Sequence, residues 1–96
     1  MLFRSNIQEK KRGVIIILIL GMILKQARKE RNLTLKVLSE LTDISISELN
    51  KLENGLIKEP CSVFLYRLSE VLNLDYEEML KYRFASYYRK KGIINV

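Results

Sequence analysis

Acid–base, nucleophilic and metal chemistry draw on a short list of side chains, and this chain has few of them. Its 96 residues include no His and one Cys. Without an imidazole there is no His base, no His ligand and no Ser–His or Cys–His nucleophile pair. A single thiol, Cys61, can build neither an intrachain disulfide framework nor a thiolate zinc site. Hydrolytic or metal chemistry would have to rest on carboxylates alone. No catalytic residue, metal ligand or cofactor is therefore expected, and the composition argues against an enzyme. A lone Cys suits a reducing, cytoplasmic setting, where such a thiol is usually a small buried hydrophobe.

What remains is the chemistry of charge. The net charge is +6, and it is unevenly placed. Residues 1–12 carry +3, residues 25–36 carry +4, residues 37–80 carry −6, and residues 81–96 carry +5. Two basic ends around an acidic middle point to an anionic partner, and nucleic acid is the first to consider. A solvated basic tail would look the same.

The elements that must position these charges are mostly helical. An apolar fraction of 48% with 29% charged residues is that of a globular chain with room for one domain. Ala27 to Arg31 are strong helix formers, Ile23, Leu24 and Ala27 recur at helical spacing, and Asn32 is a stop. Thr34 is suited to cap a second short helix with Leu35, Leu38 and Leu41 on its inner face. Ser45-x-x-Glu48 is a capping box for a third, whose buried stripe is Leu49 and Leu52. Asn54-Gly55 ends that helix, Gly taking the left-handed position. Beyond Pro60, Ser62 can cap a fourth helix bearing Leu65, Leu68 and Leu72. Asp75-x-x-Glu78 opens a fifth, with Tyr76, Leu80, Phe84 and Tyr87 as its apolar positions. Val14–Leu20 and Ile93–Val96 are rich in β-branched residues and read better as strands, although the first run could instead extend helix one. Thr34–Thr42 and Ser45–Asn54, separated by a few residues, make a helix-turn-helix candidate.

Those residues also carry a resemblance. Arg28-x-x-Arg31-Asn32-Leu33-Thr34, Leu38-Ser39, Ile44-Ser45-x-x-x-Leu49-x-x-Leu52-Glu53-Asn54-Gly55 and Pro60 follow one another at fixed intervals. Leu65-x-x-Leu68-Ser69-x-x-Leu72 and Leu74 to Leu80 continue the series. From Leu20 to about Leu80 the chain resembles the phage-repressor and Cro-like helix-turn-helix regulators, including the xenobiotic-response type. The resemblance implies an all-α, five-helix lambda-repressor-like domain that binds double-stranded DNA, most simply as a homodimeric repressor. In that geometry the third helix enters the major groove and shows its first turn and one later position to base edges. Ile46, Ser47, Glu48 and Lys51 occupy those places, because Leu49 and Leu52 must face the core. Lys51 can donate to guanine O6 and N7, Ser47 can bond either way, and Ile46 can pack on a thymine methyl. Glu48 has a competing role as the second half of the capping box. Phosphates would be held near the helix starts by Thr34 and Lys36, with Asn54 and Lys58. The resemblance also implies that Arg28 pairs with Glu53. The chain departs from the pattern at Leu35, where many members have a DNA-contacting Gln. It departs again at Ser39, commonly Ala, and at Asp43, usually a turn Gly.

Three segments result: an N-terminal extension (1–19), the helix-turn-helix domain (20–80) and a basic aromatic tail (81–96). The apolar run Val14–Leu24 spans only about 16 Å as a helix against roughly 30 Å of bilayer hydrocarbon, so no membrane span is expected. No A-x-A cleavage pattern follows it. Members of the resembled family begin near the position of Met22, so residues 1–21 are either a native element or an over-extended start. If Val14–Leu20 is a strand, pairing with Ile93–Val96 or with its symmetry mate would satisfy its backbone. Phe84, Tyr87 and Tyr88 beside it are then candidates for an isologous dimer face. The alternative function is a protein-interaction module of the same fold, antitoxin-like, gripping a partner through the aromatic tail Tyr82, Phe84, Tyr87 and Tyr88.

Overall fold

Five helices follow one another, and side chains at Thr34, Ser45 and Asp75 start three of them. They are α1 (Leu2–Glu30), α2 (Leu35–Thr42), α3 (Ile46–Glu53), α4 (Ser62–Leu72) and α5 (Tyr76–Lys90). The computed structural model describes residues 2–90, with side chains over residues 15–83. No strand occurs among the described residues. The all-α, five-helix expectation holds.

Thr34 Oγ1 accepts from Val37 N at 3.2 Å and Ser45 Oγ from Glu48 N at 3.1 Å, starting α2 and α3 as their sequences require. At the start of α5, Asp75 Oδ1 accepts from Glu77 N at 3.0 Å. The stops are left-handed residues: Asn32, Asp43 and Asn73 at φ 54–58° and Gly55 at 68°. Behind Gly55, Leu56 N donates to Lys51 O and Gly55 N to Leu52 O, which satisfies two carbonyls of the last turn of α3. Asp43 thus adopts the backbone a glycine would prefer, and its N–H closes α2 on Ser39 O.

Four expectations need correction. Val14–Leu20 is helical, part of α1, so it cannot pair as a strand with Ile93–Val96, which lies outside the described residues. Its β-branched residues lower helix propensity only by tenths of a kcal/mol each, and burial of one face outweighs that. Ser62 is the first residue of α4 rather than its cap; Cys61 holds the cap position and makes no side-chain capping bond of ordinary geometry. Cys61 is also exposed rather than buried. Leu41 is exposed, because α2 turns Leu38 and Thr42 inward instead, four residues apart. The Thr42 hydroxyl is satisfied there by donating to Leu38 O at 2.7 Å.

The core lies where α1 crosses the other helices. Ile17, Leu20, Leu24 and Ala27 of α1 are buried, as are Leu38, Ile44, Leu49, Leu52, Leu65, Leu68, Leu72 and Met79 from α2 to α5. Each large one contributes roughly 1.5–3 kcal/mol through burial. Gly21 is the point of closest approach. A Cβ there would sit 2.5 Å from Glu53 O and 2.7 Å from Leu52 O, so α1 rests directly on the last turn of α3. No helix among the described residues is long and apolar enough to cross a membrane.

Candidate nucleic-acid interface

α3 is an eight-residue helix with two distinct sides. Leu49, Leu52 and Glu53 are buried against the domain. Ile46, Ser47, Asn50, Lys51 and Asn54 are exposed. Ser47, Asn50, Lys51 and Asn54 follow the i, i+3, i+4, i+7 spacing of one stripe, with Ile46 at its N-terminal edge. The structure therefore places Ile46, Ser47 and Lys51 together on an accessible face. Glu48 is half-buried and its N–H closes the Ser45 cap. Among the described residues only the serine half of that capping box is formed.

Thr34 and Lys36, at the start of α2, are exposed, as is Lys58 in the loop after α3. The Thr34 hydroxyl is engaged in its cap. Asn54 is less free than expected, because its Nδ2 donates to Asn50 O at 2.8 Å and to Asn50 Oδ1 at 3.1 Å. Asn50 was not among the expected residues. Its signal in the sequence is its helical spacing from Ser47 and Lys51.

Behind the exposed face, α3 is clamped. Arg28 Nε and Nη2 reach Glu53 Oε2 and Oε1 at 2.7 and 3.0 Å, a bidentate ion pair joining α1 to α3. Arg28 Nη1 also donates to Leu33 O at 2.8 Å, tying down the turn after α1. The Glu53 hydrogen bonds raise the Arg28 pKa above its ordinary value; burial opposes them, and the Glu53 charge adds to the rise. Arg31 plays a parallel part that sequence reading missed. Its Nε and Nη2 both donate to Leu72 O, at 3.1 and 2.8 Å, and so cap α4. Arg67 reaches Thr42 O at 3.5 Å, a long contact at the end of α2.

The arrangement can present a short polar helix face on a rigid support. It offers one ammonium, one hydroxyl, two amides and one branched apolar group, the kinds of side chain that read base edges. Phe84, Tyr87 and Tyr88 have side chains outside the described residues, so the expected dimer face is not placed. Tyr82 is half-buried against the core. Among the described residues no group of three or more His, Cys, Asp or Glu could hold a metal ion. A family model described as a helix-turn-helix domain matches residues 21–82. No curated protein and no solved structure matches the chain.

Proposed function

The chain belongs to this helix-turn-helix family, and from that premise we propose that it is a sequence-specific double-stranded DNA-binding transcriptional regulator, acting as a homodimeric repressor. The observation that carries the reading is α3 itself: Ile46, Ser47 and Lys51 exposed, with Leu49, Leu52 and the Arg28–Glu53 pair fixing the helix from behind. In this reading Lys51 and Ser47 meet base edges, Ile46 meets a thymine methyl, and Asn50 joins them. Glu48 serves α3 more than the bases. Thr34, Lys36, Asn54 and Lys58 meet phosphates, helped by backbone N–H groups at the helix starts.

Selection of duplexes from a random pool tests this directly, and a recovered palindrome would support both the reading and the dimer. Lys51→Ala should relax preference at one base pair, costing ~1–3 kcal/mol at the selected site. Lys58→Ala should weaken all duplexes alike and lower the salt slope by about one. Equal, sequence-blind losses from both would move Lys51 to the backbone. No loss from either would remove α3 from the groove.

A second reading, a protein-interaction module, is favoured by Val37 and Leu41, exposed apolar residues four apart on α2. Absence of salt-dependent binding to random duplex would select it.

A further inference from the structure

The outward side of α1 carries a row of exposed apolar residues. Ile15, Leu18, Ile19 and Met22 are 53, 42, 39 and 67% accessible. Their spacing of three, one and three gathers them on one stripe, turned away from the buried Ile17, Leu20, Leu24 and Ala27. Isolated exposed apolar residues are ordinary, but a contiguous row over about two helical turns is not. Leu18 lies over Gly55, its Cδ2 2.7 Å from where a Cβ would stand, and the next residue, Leu56, is 69% accessible. Charge frames the row at both ends. Beyond Met22, Lys25 and Lys29 are exposed. Before Ile15, the same helix holds Lys10, Lys11 and Arg12. Lys11 stands four positions before Ile15 and eighteen before Lys29. Eighteen residues make about five whole helical turns, so the backbone sets Lys11 and Lys29 at the two ends of the stripe itself. No Asp or Glu occurs between Glu9 and Glu30, and the Glu30 carboxylate accepts from Gln26 Nε2 at 3.2 Å.

We propose that this face of α1 lies on an anionic lipid bilayer, its apolar row dipping into the boundary between headgroups and acyl chains and the basic residues at its two ends meeting the anionic headgroups. The site stands on α1 and Leu56 and does not rest on the DNA reading. The order basic, apolar, basic along one helix face selects the partner. Nucleic-acid phosphates would attract the lysines but offer no apolar phase to Ile15, Leu18, Ile19 and Met22. An anionic bilayer offers both, in layers, to a helix lying in its plane. Lysine stems can follow apolar surface while the ammonium stays at the headgroups, so Lys25 and Lys29 do not oppose entry of the row between them and Lys11. From Lys11 to Lys29 the helix runs about 27 Å along the surface. No helix among the described residues could cross the bilayer instead. The inner side of α1 stays in the core, so only the outer stripe enters the lipid. Size sets the strength. Four half-exposed residues with Leu56 bury too little apolar surface to hold the chain alone, and the basic residues at the ends supply the second attraction. The contact is therefore reversible and requires anionic lipid.

Vesicle co-sedimentation of the full chain without DNA tests the contact, comparing phosphatidylcholine vesicles with vesicles in which about one lipid in three is phosphatidylserine. Wild type should bind the mixed vesicles and partition at least about tenfold more weakly onto the neutral ones. A double variant, Ile15→Gln with Met22→Gln, keeps every charge. Both positions are exposed, and unchanged helical dichroism checks that the variant folds. It should lower the partition coefficient for mixed vesicles at least about tenfold. Lys25→Gln and Lys29→Gln should each lower it about fivefold. A double variant that binds like wild type would reduce the contact to unspecific attraction of a basic chain and overturn the proposal. Indifferent lysine variants, or equal binding to neutral vesicles, would overturn it too. So would a wild type that ignores mixed vesicles; sedimentation equilibrium of wild type and the double variant would then show whether a second copy covers the stripe instead.

Discussion

Two side chains join α1 to α3 by a bidentate ion pair, and their chemistry makes that connection testable. The Arg28 and Glu53 side chains retain only 12 and 6% of their accessibility, and the fork geometry is complete. Removing one partner strands the other in a nearly dry site. Breaking such a pair costs ~3–5 kcal/mol, whereas an exposed pair is worth roughly 0–1. Denaturant unfolding of Glu53→Gln and Arg28→Met should give losses toward the upper range, with the double mutant losing clearly less than the sum. Additive effects below a kilocalorie would mean the pair is ornamental to stability. Cys61 is the other residue whose setting has consequences. The N–H groups of Phe64 and Val63 at the start of α4 lower its thiol pKa, opposed by desolvation and aided by the charges of Arg83 and Arg67. A lowered pKa means the thiolate is populated in a window below the ordinary thiol value. The pH midpoint for alkylation by iodoacetamide should therefore be lower in the native chain than in urea. Coincident midpoints would place those N–H groups away from the sulfur.

At the scale of elements, the helix-turn-helix was legible because its signals are local. Thr34, Ser45 and Gly55 each act on backbone within four residues as their types suggest, while Asp43 takes the left-handed backbone a glycine would prefer. The Arg28–Glu53 pair came from resemblance and is formed. The helical state of Val14–Leu20 was not legible from propensity, because that run is helical for tertiary reasons. Ile17 and Leu20 do continue the spacing of Leu24 and Ala27, so periodicity, extended upstream, carried the answer that β-branching hid. Gly21 was passed over for the same reason: a lone helical glycine has meaning only once the element it touches is known. That contact gives a prediction with opposing terms. Gly21→Ala gains up to about 1 kcal/mol of helix propensity. It also drives a methyl into the Glu53 and Leu52 carbonyls, which cannot retreat without moving α3, and overpacking of this kind costs ~1–3 kcal/mol. A lowered denaturation midpoint is expected, together with weaker duplex binding through displaced α3. A stabilised Gly21→Ala protein would show that the α1–α3 approach is looser than 2.5 Å implies.

For the whole molecule, the question is where the folding unit begins. The family match starts at residue 21, yet among the described side chains Ile17 and Leu20 before it are already buried, 8% and 1% accessible. Leu20 belongs to the central core cluster with residues of α2 to α5, and Ile17 is buried one turn before it. Loss of a large buried apolar side chain costs ~2–5 kcal/mol, so losing both approaches the roughly 5–15 kcal/mol that holds a whole domain together. A chain shortened to begin at Met22 should therefore melt far below the full chain or fail to unfold cooperatively. A chain shortened to begin at Val14 retains Ile17, Leu20 and Gly21 and should keep most of its stability. The same pair of chains separates folding from reading. With α3 held by α1 through Gly21 and Arg28, the Met22 start should lose duplex affinity along with stability, while the Val14 start keeps both. Equal melting of the Met22-start and full chains would show that Ile17 and Leu20 are buried without contributing, and that the domain is complete from α1's second half onward.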